Sequence, residues 1–130
     1  MTARNFEDLN VWKDAKNMVV AVYKATSQHP MKRDFGYRDQ IQRAAVSITN
    51  NIAEGFERDN SREFIRFLRY SKGSAGEVRS MLYIALDLEY LTKEKFDELY
   101  ELSLVIIKQI ASLNKYLLSL YLLQVRKNFN

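Results

Sequence analysis

The chain has 130 residues, no cysteine, a single histidine, four glycines, one proline and a net charge of +4 at pH 7. A chain of this length buries about two thirds of its unfolded surface and folds without staples. The absence of cysteine excludes a disulfide framework, cysteine-ligated zinc and thiol chemistry, and His29 alone cannot build a histidine cluster for a metal. Hydrophobic and charged fractions of 47% and 28% are those of an ordinary globular chain. No apolar run reaches the roughly 18 residues of a membrane span, and the opening MTARNFEDLN lacks a signal-peptide pattern. The expected location is the cytoplasm.

The first periodic segment covers residues 11–28. Trp12, Ala15, Val19, Val22 and Thr26 recur in steps of 3 and 4, one face of a helix, with Asn10 as the expected N-cap. His29–Pro30 ends it, because proline lacks a donor and pushes its predecessor out of the α region. Residues 30–37 read as a loop with Gly36 inside it. The second helix is expected from Tyr37 to Glu54 on a stripe of Ile41, Ala45, Ile48 and Ile52, with Gly55 as a left-handed C-cap.

Asn60, with Glu63 three residues on, opens the third helix. Its stripe is Phe64, Leu68, Ser71, Ala75, Val78, Leu82 and Ala85. Gly73, Ser74 and Gly76 lie mid-way and make a thin waist in one long helix, or a kink; the glycines are expected to mark close contact. The fourth helix starts after Thr92 on a stripe of Leu99, Leu102, Ile106, Ile110, Leu113, Leu117 and Leu120. The expected fold is all-α: an antiparallel up-down four-helix bundle with long third and fourth helices. It forms a single domain over 1–130, with its core in 6–121 and a frayed tail at 122–130. Ile65, Phe67, Met81 and Ile84 on helix three, and Leu104, Val105, Ile107, Leu118, Leu122 and Leu123 on helix four, exceed one buried face. The surplus points to self-association, a wide monomer stripe being the alternative.

For chemistry, no histidine is placed to activate a serine or threonine, and the Lys72-Gly73-Ser74-Ala75-Gly76 segment has no preceding strand to make a phosphate loop. No enzyme activity, cofactor or metal is expected. Ser47, Asn50, Asn51 and Glu54 share one side of helix two and read as a structural polar network reaching Arg43, Ser74 and Glu77. The alternative is a ligand or small-enzyme site around Asn50, Asn51, Glu54 and Glu77. Arg62, Arg66, Arg69 and Lys72 form a basic stripe on helix three, extended by Arg58 and Arg79. Such a stripe suits the phosphate backbone of RNA or DNA without reading bases. It equally suits an acidic protein surface, including the stretch Glu94 to Glu101 of the same or another copy.

FEDLNVW at 6–12, FGYRDQIQRAAVSITNNIAEGF at 35–56, SREFIRFLRYSKGSAGEV at 61–78 and LEYL at 88–91 resemble, in combination, the small family encoded in intervening sequences of bacterial 23S ribosomal RNA genes. The resemblance implies a bacterial four-helix bundle that assembles into rings, pentamers being known. A more distant similarity is to the accessory proteins of diversity-generating retroelements, basic pentameric rings that work with a reverse transcriptase and nucleic acid.

Overall fold

Four helices make up most of residues 3–129, the part of the chain that the computed structural model describes. They are α1 (Asn10–Thr26), α2 (Phe35–Glu57), α3 (Ser61–Asp87) and α4 (Lys93–Phe129), with short 3-10 turns at Phe6–Asp8 and Met31–Arg33. At 1.5 Å per residue, α1 is about 26 Å long and the 37-residue α4 about 56 Å. Each helix packs on its sequence neighbours and α1 closes the bundle against α4.

The direction of packing is fixed by side-chain bonds. Ser71 Oγ donates to the Ile48 carbonyl at 2.9 Å, Gln40 Nε2 to Glu77 at 2.8 Å and the Tyr37 hydroxyl to the Met81 carbonyl at 2.6 Å, so α2 and α3 run antiparallel. Arg79 beside Tyr100 and Tyr83 beside Phe96 set α3 antiparallel to α4.

The α3 stripe is buried in full, as expected, and the helix is continuous through Gly73 and Gly76. Its N-cap is Asn60, whose side chain accepts from the Glu63 amide at 2.8 Å. Thr92 caps α4 in the same way, accepting from the Lys95 amide at 3.1 Å.

Other expectations are corrected. The N-cap of α1 is Leu9, with no side-chain bond, rather than Asn10. Its buried residues are Val11, Ala15, Met18, Val22, Ala25 and Thr26, so Ala15, Val22 and Thr26 of the expected face are buried while Val11 and Met18 take the places expected for Trp12 and Val19. Helix α2 starts two residues before Tyr37, because the Asp34 carboxylate caps it by accepting from the Tyr37 amide at 3.2 Å; Gly36 is therefore helical. Gly55 is helical too, not a left-handed cap. A Cβ at position 55 would stand 2.7 Å from Phe67 Cβ and 2.9 Å from Phe64 Cδ1, so glycine is there to let α3 cross closely. Gly73 and Gly76, by contrast, have nothing within 4 Å of a Cβ and are not contact residues within the chain. Phe67 and Met81 are buried rather than surplus, since α2 covers that side of α3. Helix α4 continues to Phe129, through most of the stretch 122–130 expected as a frayed tail.

Candidate functional site

Small side chains zip α2 to α3. Asn51 Nδ2 donates to the Ser47 carbonyl at 2.8 Å and to Ser47 Oγ at 2.9 Å, and Ser74 Oγ donates to Ser47 Oγ at 2.8 Å. Of the seven residues expected in a network, these three come together. Glu54 pairs with Arg58 at 3.1 Å, Glu77 accepts from Gln40, and Arg43 and Asn50 are exposed. Asn50 lies 100° round the helix from Asn51, and the long side chains of Arg43 and Glu54 carry their heads to water. Asn50, Asn51 and Glu54 consequently do not converge on a common pocket. Among the described residues no group of three or more His, Asp or Glu is placed to hold a metal.

The basic stripe keeps its four central members on one exposed surface. Arg62, Arg66, Arg69 and Lys72 are all exposed. Arg66 lies 3.4 Å from Glu63 and stacks over Phe67 with 5.2 Å to the ring centroid. Arg62, Arg69 and Lys72 form no ion pair among the described residues. Arg58 is engaged by Glu54 and by the Phe67 ring at 4.9 Å. Arg79 leaves the stripe. It is half-buried against α4, where Nη2 donates to the Tyr100 hydroxyl at 3.2 Å and the guanidinium lies 5.4 Å from the ring centroid.

Arg62, Arg66 and Arg69 line a groove of about 520 Å³ whose other wall is Leu118 and Tyr121 of α4. The acidic stretch of α4 is at the opposite end, level with Arg79 and Tyr83 of α3. There Asp97 is engaged by Lys93, and Glu98 by Lys95 at 3.4 Å. The stripe therefore cannot pair with Glu94 to Glu101 of its own chain.

The acidic end is held by aromatic groups that the periodic pattern did not single out. Phe96 stacks on Tyr100 at 5.4 Å, and both meet the Tyr83 ring at 5.2 and 5.6 Å. The i, i+4 spacing of Phe96 and Tyr100 was the available signal. The Tyr83 hydroxyl, with the Arg79 guanidinium, draws the Tyr100 hydroxyl below the ordinary phenol pKa. Nearby, the Tyr90 hydroxyl donates to Asp34 Oδ2 at 2.7 Å. That bond, with the Tyr37 amide, holds the Asp34 carboxyl below its usual value, while burial raises the Tyr37 phenol.

Helix α4 carries apolar side chains beyond the core. Val105, Leu118, Leu122 and Leu123 are each more than two fifths exposed. No helix among the described residues is long and apolar enough to cross a membrane.

Residues 7–112 match the family described as 23S rRNA-intervening sequence protein. Among the solved structures that match is a protein with unknown function from the S23 ribosomal protein family of Bacteroides thetaiotaomicron. It is 26% identical, has a TM-score of 0.74 and is aligned over 81% of this chain and 98% of its own. No curated protein matches at a significant level. Neither the family description nor that structure names a retroelement accessory protein, and the expected retroelement similarity has no counterpart in them.

Proposed function

The chain belongs to the 23S rRNA-intervening sequence protein family, and from that premise we propose that it is a non-enzymatic cytoplasmic interaction module that assembles with copies of itself, a pentamer being the expected ring. One observation carries this reading: Leu118, Leu122 and Leu123 stand about half exposed (48%, 54% and 55%) on a helix that outruns its neighbours. Burying such side chains between copies is worth on the order of 1.5–3 kcal/mol each. Light scattering on the purified chain across micromolar concentrations is the test. The expected result is a multiple of the 15.3 kDa protomer that falls when Leu118 and Leu122 are both changed to Gln. A strictly monomeric chain would sink the reading.

A second reading is favoured by the charge. Arg62, Arg69 and Lys72 are exposed with no ion pair among the described residues, which suits a sequence-independent contact to RNA or DNA phosphates. Binding that weakens steeply as salt rises is its signature.

A further inference from the structure

We propose that the basic row of α3 docks on the acidic start of α4 in a second copy of the chain, Arg62 and Arg69 pairing with the partner's Glu101 and the partner's Glu94 in a head-to-tail contact. The inference rests on the self-association reading above and assigns its interface.

The two rows carry equal and opposite charge. Residues 62–72 hold Arg62, Arg66, Arg69 and Lys72 against Glu63, a net +3. Residues 94–101 hold Glu94, Asp97, Glu98 and Glu101 against Lys95, a net −3. Within each row the middle is already engaged, Arg66 by Glu63, and Asp97 and Glu98 by Lys93 and Lys95. Arg62 and Arg69 in one row, and Glu94 and Glu101 in the other, are exposed and form no ion pair among the described residues. Both pairs are seven residues apart. Each therefore returns to one side of its helix and spans about 10.5 Å. The spacing of the unpaired cations matches that of the unpaired acids.

The rows cannot meet within one chain. The register set by Arg79 with Tyr100 and by Tyr83 with Phe96 places Arg66 level with Leu113. That level is about 22 Å along α4 from Glu98. The part of α4 that does flank the cations, through Leu118 and Tyr121, lies in residues 102–129, which contain no acidic side chain. The neutralising acids must come from another molecule, and every copy carries them.

A contact of the basic row with itself would set arginine against arginine, which opposes association. Two different patches instead join copies head to tail, an arrangement that closes into a ring where the rotation allows. Laid antiparallel on α3, the partner's α4 puts the partner's Glu101 at Arg62 and the partner's Glu94 at Arg69. Val105 is 44% exposed and lies one turn past Glu101 on the same face. In that orientation it falls at the end of the groove walled by Leu118 and Tyr121. Exposed ion pairs add little affinity, so charge fixes the orientation and apolar contact holds it.

The test is light scattering on the full chain at about 50 and about 500 mM NaCl, with circular dichroism on every variant. The wild-type particle should exceed the 15.3 kDa protomer and lose mass as salt rises. Arg62→Glu with Arg69→Glu should reduce it to the protomer, and Glu94→Lys with Glu101→Lys should do the same. All four changes in one chain should restore the wild-type mass. Arg62→Lys with Arg69→Lys keeps the charge and should remain assembled. A monomeric wild type overturns the proposal together with the self-association reading. An assembled wild type whose mass survives either pair of reversals, or is not restored by the four-residue swap, overturns this contact alone. Full mass in Arg62→Glu with Arg69→Glu, with loss of binding to a short DNA or RNA duplex, would assign the basic row to phosphates instead.

Discussion

Arg69 and Arg79 lie ten residues apart on one helix and end in different circumstances. Arg79 donates to the Tyr100 hydroxyl against a cluster of Tyr83, Phe96 and Tyr100, at an end of the bundle where Asp97 and Glu98 are also occupied by lysines. Arg69 faces a groove beside Leu118 and Tyr121, with no ion pair among the described residues. One end of the α3–α4 pair engages Arg79, Asp97 and Glu98 internally. The other leaves cations and apolar side chains unsatisfied, and that asymmetry is where a partner has something to gain.

Phe96→Ala should break the closed end most severely. The ring is buried against Tyr83 and Tyr100, and its loss should cost about 3–5 kcal/mol in denaturant unfolding. Leu118→Ala at the open end should change protomer stability by no more than about 0.5 kcal/mol in the same assay. Equal losses would dissolve the contrast.

The glycines divide along the same lines. Gly55→Ala must displace Phe67 and Phe64, and an overpacking penalty of about 1–3 kcal/mol should outweigh the helix-propensity gain, lowering the unfolding midpoint. Gly73→Ala meets nothing within 4 Å and should stabilise by about 1 kcal/mol. If Gly73→Ala instead destabilises and changes the particle mass, that open surface is an intersubunit contact.

The smallest effect concerns acid. Asp34 has a folded pKa below its ordinary 3.8, chiefly through the Tyr90 hydroxyl. Its stabilising contribution is present above 3.8 and is lost as pH falls through the lower folded value. Tyr90→Phe should shrink the fall in unfolding midpoint between pH 5 and pH 2. An undiminished fall would detach Asp34 from the closed end.

The main stripe of α3 is legible in the sequence because Phe64 to Ala85 keep a 3-and-4 rhythm throughout. The face of α1 was misjudged because Val11 and Met18 stand next to Trp12 and Val19, so two adjacent faces are both apolar. Only the positions of α2 and α4 choose between them. Phe67, Met81 and Gly55 were misread for one shared reason: how close α2 comes to α3 is a property of the pair. At the candidate site, the cationic row of α3 was legible residue by residue. Arg79 was not separable from it, since its fate depends on Tyr100 of another helix.

Periodicity and caps alone determined four helices, their order and the core face of α3, because each depends on residues within a turn or two of one another. Tertiary structure decided which cations are free and which are engaged. It also decided that the basic start of α3 lies beside the acid-free end of α4. The tight connection at residues 88–92 reverses the chain there, and antiparallel packing then sets neighbours that sequence distance conceals.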